Sequence, residues 1–492
     1  MTVRDDAQSI ILIAFPGKEI KQIFYHDPQY VFFDEYGWWH LEDDGVRKMV
    51  KISIDDFSKI SDIDIPDIRK KIQWWSPIWT RWCGSAEEYE VMRGRTVSLV
   101  AGIVYGLKKS CVKFAIFCTN APHHYDSSVV SIACEVGEVR QIYLSTNVFD
   151  NELLPLSQLG GVKTRKTVGT KLRNKDYGIL ISAFIENKRN NKIPSTGIKL
   201  SWWKSSYAFA IFWLIVWRLR NNIQNLAKKI IFKDNKKQVW ISLKDYNTLS
   251  FFKILSNQKK FLNRYLELQV SSIETNILTG SSVPALLIAA HSQPEATSFP
   301  EGGEYTNHVD IALTCRLKGY KGDLLYKEHF ATANYVDKYI GLTRVGLYRS
   351  LDYIEDLSNI GCVFLSSSVR LSINQAQCKW YVPVTISGTI AIERSLAGLC
   401  TIVAGEPWFN GLPGVVRLSD IVSMEKIEDS WVIPQESIAV AAFNFLIDKL
   451  ENRTIINVPG IGTGVADPNI KKYREFESQI RTLICDLQNR EK

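Results

Sequence analysis

From Ala285 to Val403, five short apolar runs alternate with stretches long enough for a helix, and this alternation restricts the fold more than any other feature of the sequence. The runs begin at Ala285, Leu324, Cys362, Val382 and Thr401; the intervening helical stretches include His308 to Leu317, Gly346 to Leu357 and Ile390 to Ala397. A strand that is apolar on both faces must be covered on both, and the order strand, helix, strand places such strands in a parallel sheet. A Rossmann-like half is therefore predicted here. In open sheets of this kind, ligands meet the loops at the carboxyl ends of the strands. Two runs end in polar clusters there: Ala285 to Ala290 leads into His291-Ser292-Gln293-Pro294-Glu295, and Leu324-Leu325-Tyr326 into Lys327-Glu328-His329.

A single core stops growing at roughly 250 to 300 residues, so a chain of 492 residues is expected to form two domains. The spacing divides it into a first domain over 1–280, a second over 281–470 and a terminal helix over 471–492 that packs back on the first domain. The boundary falls in Thr275 to Val283, around Gly280-Ser281-Ser282, after a charged helix predicted over Lys244 to Leu268. Further helices are expected over Glu436 to Leu450 and Lys471 to Leu487. In the first domain a helix over Glu87 to Leu107 precedes a strand over Val112 to Cys118, a polar loop, a helix over Ser127 to Val136 and a strand over Gln141 to Leu144. That order makes the first domain doubly wound as well. The first 82 residues are rich in aromatics and yield no strand assignment; His26, Asp34 and His40 among them read as polar tips of a packed scaffold.

The polar loop after Val112 to Cys118 carries His123, His124 and Asp126. Adjacent histidines point in different directions and no third ligand accompanies them, so no metal site is expected. A carboxylate or imidazole facing a cleft can serve as general base or nucleophile, which Asp126 or His123 would supply. The other reading is structural, with Asp126 or Ser127 capping the following helix.

Charge is concentrated rather than spread. Between Gly161 and Trp240 eighteen Lys or Arg face three acidic residues, a local balance of +15 in a chain of +8, which leaves −7 for the remainder. Inside this block lie Trp202-Trp203 and the apolar run Tyr207 to Trp217. Eleven residues fall short of the roughly 20 that span a bilayer. Two readings remain: a Trp-rich segment lying in an anionic membrane interface, or a buried helix with solvated basic neighbours. Nucleic acid is not expected, because no recognition module accompanies the charge. The nine cysteines are scattered and form no Cys-x-x-Cys pair, which argues for free thiols in a reducing compartment. With no secretory signal pattern at the start, a cytoplasmic location is expected, peripheral on the inner face of the plasma membrane in the interface reading.

Ser387-Gly388-Thr389 lies between the Val382 run and a helix. Glycine lets the backbone approach a ligand closely, and amides at a helix start attract an anion. Glu393, one turn into the helix, would bond ribose hydroxyls; the other reading is a plain helix cap with Glu393 exposed. Lys327 and His329 alternate past a strand end and would stabilise charge on a phosphate leaving group.

These motifs, His291 to Thr297, Gly302-Gly303, Lys327-Glu328-His329, Ser387-Gly388-Thr389 with Glu393, and Ala404-Gly405-Glu406-Pro407-Trp408-Phe409, resemble in order and spacing the capsule polysaccharide biosynthesis proteins, which include bacterial β-Kdo transferases. The resemblance covers roughly Ala285 to Val416. It implies an α/β GT-B-like glycosyltransferase: two Rossmann-like domains with a cleft between them, C-terminal bracing helices, a glycan or glycolipid acceptor on the first domain and a nucleotide-sugar on the second. His329, Gly388, Thr389 and Glu393 map to the family's donor-binding positions, and Lys327, Ser387 and Gln293 are assigned to the same side. Phe330 stands where the family has proline. The resemblance does not name the donor sugar, CMP-Kdo being the one known from the family's β-Kdo transferases; it implies Asp126 or Glu295 handling the reacting centre and no metal or further cofactor. Other uses of this architecture remain open: a polyol-phosphate transferase, a nucleotide-sugar epimerase, or a non-catalytic protein of polysaccharide assembly at the membrane.

Overall fold

The structure is a computed structural model that describes residues 10–14, 20, 24, 27, 29–34, 37–41, 47–50, 64–79, 86–118, 125–150, 152–158, 165–167, 176–189, 251–269, 284–291, 301–329, 349–367, 380–451, 454–455 and 470–489. It contains two sheets flanked by helices, one with a parallel centre and antiparallel margins and one parallel throughout, the α/β arrangement of two Rossmann-like domains in a GT-B-like fold.

The first sheet comprises β1 (Ile10–Ala14), β2 (Tyr30–Asp34), β3 (Gly37–Leu41), β4 (Arg47–Val50), β5 (Val112–Phe117), β6 (Arg140–Thr146), β7 (Leu153–Gln158) and β8 (Arg165–Thr167), in the order β4-β3-β2-β1-β5-β6-β7-β8. The central strands β2, β1, β5 and β6 are parallel. Antiparallel pairs extend the sheet at both ends. Successive strand residues point to opposite faces, and β1 shows the consequence. Leu12 and Ala14 join the core under helices α1 (Ile65–Trp79), α2 (Ala86–Lys109) and α3 (Tyr125–Val136), whereas Ile11 and Ile13 pack on the other face. Strands β1 to β4 fall in the aromatic-rich start, whose pattern yields no strand assignment. β1 is uniformly apolar and so lacks the alternation that marks a half-exposed strand, and β3 and β4 are too short to show a period.

Helix α4 (Tyr177–Arg189) follows the first sheet, and α5 (Phe251–Leu268) precedes the second. The second sheet holds β9 (Ala285–Ala289), β10 (Leu324–Lys327), β11 (Cys362–Leu365), β12 (Tyr381–Thr385), β13 (Thr401–Val403) and β14 (Val415–Arg417). Every pairing is parallel and the order is β11-β10-β9-β12-β13-β14. Counted from its own first strand this is 3-2-1-4-5-6, the dinucleotide-fold order whose direction reverses between the first and fourth strands. Its helices are α6 (His308–Leu317), α7 (Leu351–Asn359), α8 (Ile390–Leu396) and α9 (Glu436–Leu450). Caps explain two of the starts: the Asn307 side chain accepts from the Val309 amide, and Ser350 accepts from Tyr353.

Helix α5 lies ahead of residue 281, yet its Phe261 and Tyr265 are buried in the second core with Leu286, Ile288, Ile311 and Ile354. Arg264 of α5 is paired with Glu355 of α7 at 2.8 Å. The last helix, α10 (Ile470–Asn489), returns to the first sheet, where Phe476, Ile480, Leu483 and Leu487 cover Ile11, Ile13 and Ile116. A further apolar cluster joins the two domains: Leu154 and Leu156 of β7 and Tyr177 and Ile181 of α4 pack with Ile392 of α8 and Ala442, Leu446 and Leu450 of α9. Most of the basic block, including the Trp-rich run Tyr207 to Trp217, lies outside the described residues. Among the described residues no helix is long and apolar enough to cross a membrane.

Candidate functional site

The carboxyl ends of β10, β9 and β12 lie side by side, and β9 and β12 form the pair at which the strand order reverses. A crevice opens at such a point because the connections on either side run to opposite faces of the sheet. The chain leaves these three strands as Lys327-Glu328-His329, Ala290-His291 and Ile386-Ser387-Gly388-Thr389. The motifs separated by up to about 100 residues in sequence therefore meet at one sheet edge.

A buried polar network ties these ends together. The Arg349 side chain is 1% exposed and that of Glu328 is 0% exposed. Arg349 donates to Glu328 at 2.8 and 3.3 Å and to the His291 carbonyl at 3.1 Å. Glu328 also accepts the His329 amide at 2.8 Å and the Tyr326 hydroxyl at 2.7 Å. Burial alone would lower the Arg349 pKa, but the Glu328 charge holds it well above its ordinary value. A buried pair that is fully hydrogen-bonded is costly to break from one side, since the remaining charge is left without compensation.

His291 and His308 stand behind this pair. The His291 amide donates to Nε2 of His308 at 3.2 Å, and Nδ1 of His308 lies 3.1 Å from the Tyr353 hydroxyl. Burial, followed by the charges of His329 and Arg349, pushes the His291 imidazole down to about 3. Burial and the Arg349 charge hold His308 well below its ordinary value. Both rings are therefore neutral at physiological pH.

The Ser387-Gly388-Thr389 loop differs from the expectation of amides open to an anion. The Ser387 amide donates to Nε2 of His291 at 3.3 Å and the Gly388 amide to Oγ1 of Thr385 at 3.2 Å. Two of the loop's donors are thus turned inward, because the neutral imidazole and the hydroxyl at the strand end reach them first. Glycine is required at 388, where a Cβ would lie 2.6 Å from Thr385 Oγ1. Gly405 is constrained in the same way: a Cβ there would lie 2.4 Å from the Glu301 carbonyl. The Glu406 amide donates to that same carbonyl at 2.7 Å, fixing the 301–303 turn beside the end of β13.

Lys327 ends β10 partly buried, and desolvation lowers its ammonium to about 8, against the attraction of Glu328. His329 is exposed. Glu393 sits in the first turn of α8 and accepts the Thr389 hydroxyl at 3.5 Å. Lys327, His329, Ser387, Gly388, Thr389 and Glu393 therefore share one edge of the second sheet. Asp126 lies in the first turn of α3, after β5, and its side chain is outside what is described. His123, His124, Gln293, Glu295 and Phe330 lie outside the described residues. Among the described residues no group of three or more His, Cys, Asp or Glu side chains could hold a metal ion.

Sequence reasoning singled out the polar runs but missed His308, Arg349, Tyr326 and Tyr353. The one signal available was a histidine at the first position of an otherwise apolar helix face, and an isolated residue of that kind carries little weight.

No family model matches the sequence, and no curated protein matches it. Among solved structures, the chain is similar to the UDP-GlcNAc 2-epimerase from Neisseria meningitidis bound to UDP-GlcNAc. Identity is 10%, the match covers 90% of this chain and 99% of the epimerase, and the TM-score is 0.20. At that score the two backbones do not superpose as wholes, and no residue or activity transfers from one to the other.

Proposed function

We propose that the second domain binds a nucleotide-sugar at the carboxyl ends of β9, β10 and β12, and that the protein transfers the sugar to a glycan or glycolipid acceptor on the first domain. The observation that carries this reading is the convergence of Lys327, His329, Thr389 and Glu393 on the edge where the sheet order reverses. In sheets of this order that edge is where nucleotides bind.

The residues have distinct roles in the proposal. Lys327, partly desolvated, gains a counter-charge when a phosphate arrives, and a charge in a water-poor site stabilises a leaving group more strongly than one in bulk water. His329 donates to the same phosphate. Glu393 bonds the ribose hydroxyls, exchanging its contact with Thr389 for them. Asp126 from the first domain, or Glu295, handles the reacting centre, with His123 a further candidate. If the product keeps the donor's configuration, Asp126 is the nucleophile of a double displacement: it bonds to the anomeric carbon as the nucleotide leaves, and the acceptor hydroxyl then displaces it, giving its proton to Glu295. The resemblance to capsule polysaccharide proteins makes CMP-Kdo the first donor to test, with no metal or further cofactor.

The test is a panel of CMP-, UDP- and GDP-sugars offered with and without a glycan acceptor, followed by nucleotide release. Acceptor-dependent release from one donor is expected. Conversion of the sugar without an acceptor would replace transfer by epimerisation, and binding of no donor would remove the reading altogether. Donor affinity should fall as pH rises through about 8, where Lys327 loses its proton.

The basic block over 161–240 places the protein on an anionic membrane surface in the same proposal, at the inner face of the plasma membrane. Flotation with anionic liposomes should succeed at low salt and weaken at 0.1 M and above, where charges are screened over about 10 Å. Failure at low salt would sink the attachment.

A further inference from the structure

Donor and acceptor directions in the buried network are forced one after another. A backbone amide can only donate, so the Ser387 amide at 3.3 Å requires that Nε2 of His291 carry no proton. The proton of this neutral ring is then on Nδ1. The Thr385 hydroxyl, 2.9 Å from Nε2, accepts the Gly388 amide and shares the single Nε2 lone pair with the Ser387 amide as its second donor. By the same reasoning the His291 amide fixes His308 with its proton on Nδ1, which donates to Tyr353. Tyr353 then donates to Tyr326 at 3.2 Å, and Tyr326 donates to Glu328. The chain ends on the carboxylate that Arg349 neutralises, and Arg349 closes the circuit by holding the His291 carbonyl.

We infer that His291 is a positioning residue whose acceptor nitrogen sets the backbone of the 387–389 loop, held in that role by Arg349, Glu328, His308, Tyr353 and Tyr326. A histidine with Nε2 unprotonated provides an acceptor on a rigid ring whose orientation the strand end fixes. Thr385 extends that acceptor by one atom, so that one imidazole orders two consecutive amides. The loop enters α8 with its direction set from inside the sheet, before any ligand is present. Its relevance to nucleotide-sugar binding rests on the function proposed above, whereas the ordering of the loop does not.

Two measurements made without ligand test the inference, so its failure is separable from failure of the donor reading. Spectra of protein labelled with ¹⁵N histidine show seven rings, and the signal lost in His291→Gln identifies His291. A proton on Nδ1 and none on Nε2, unchanged from pH 5 to 8, is expected. The groups facing the ring are Arg349, His308 and His329, with Glu328 behind them. A protonated Nε2, or titration near the ordinary histidine value, overturns the inference.

The second measurement is amide hydrogen exchange over 386–391. His291→Leu removes the acceptor and should raise exchange at Ser387 and Gly388 about tenfold, the order expected for losing a buried hydrogen bond. His291→Gln, whose Oε1 takes the place of Nε2, should stay within about threefold of the parent. Equal exchange in the Leu variant and the parent overturns the inference. Where the parent binds CMP, His291→Leu should also weaken that binding about tenfold and His291→Gln restore it; an unchanged Leu variant again overturns it. If the exchange results hold and no nucleotide binds the parent, the positioning role stands and the donor reading falls. Should His291→Leu fail to fold, the protonation state in the parent decides.

Discussion

Both sheets reverse their strand order, the first between β1 and β5 and the second between β9 and β12, and among the described residues the two reversal points differ. The described ends of β1 and β5 are apolar: Ala14, Phe117 and Cys118 are buried, and the Cys118 amide simply continues the pairing to Ala14. At the corresponding place in the second sheet stand His291, Thr385 and the Arg349 to Glu328 pair. The first domain has buried polar groups as well, among them a neutral cluster between α3 and β6: Ser131 donates to Gln141 at 2.7 Å, and the Tyr143 hydroxyl donates to the same side-chain oxygen. A neutral cluster holds a helix to a sheet. Buried charge placed at strand ends fixes the start of several loops at once, which is what a binding edge needs.

The largest effect expected from this contrast is at Arg349. Arg349→Met leaves Glu328 buried and uncompensated and should cost about 3–5 kcal/mol, whereas adding Glu328→Gln should recover much of it. Gln141→Leu in the first domain removes one neutral acceptor and should cost about 1–3 kcal/mol. Urea unfolding followed by hydrogen exchange in peptides from each domain measures both. Equal losses would break the distinction between ionic and neutral networks, and loss in the first domain from Arg349→Met would show that the network is not local to the second.

Acid should act more gently and on the same side. When folded, His291 is held down to about 3 and His308 well below its ordinary value, so as pH falls below about 6.5 the unfolded chain binds more protons than the folded one. Stability contributed by these rings is therefore complete above about pH 6.5 and is lost as pH falls, by at most about 1.4 kcal/mol per pH unit for each ring. Replacing His308 by Asn should flatten the slope in second-domain peptides. A slope unchanged by that substitution would remove the histidines from the acid response.

The legible parts of the fold were those whose pattern is local. Helices α6 and α9 lie over the spans predicted for them, and the five apolar runs of the second half became β9 to β13, because a strand buried on both faces has to be continuously apolar. The start of the chain was less legible. β1 reads like any short apolar run, and the Trp38-Trp39 pair belongs to β3, which pairs antiparallel with β2 and β4. α5 was readable as a helix but not as a part of the second core, since an amphipathic stripe does not name the face it will cover.

The site shows the same division. The sequence by itself placed Lys327, His329 and the Ser387-Gly388-Thr389 loop at strand ends, with Glu393 one turn into the following helix, because a polar cluster after a buried strand has to emerge there. Only the tertiary structure brought β10, β9 and β12 side by side, since strand order depends on which crossovers pack and leaves no periodic trace in the residues. It also decided that the Ser387 and Gly388 amides face inward. That outcome depends on a neutral imidazole almost 100 positions earlier, whose protonation is set by burial and by a partner on another helix, neither of which a linear pattern encodes.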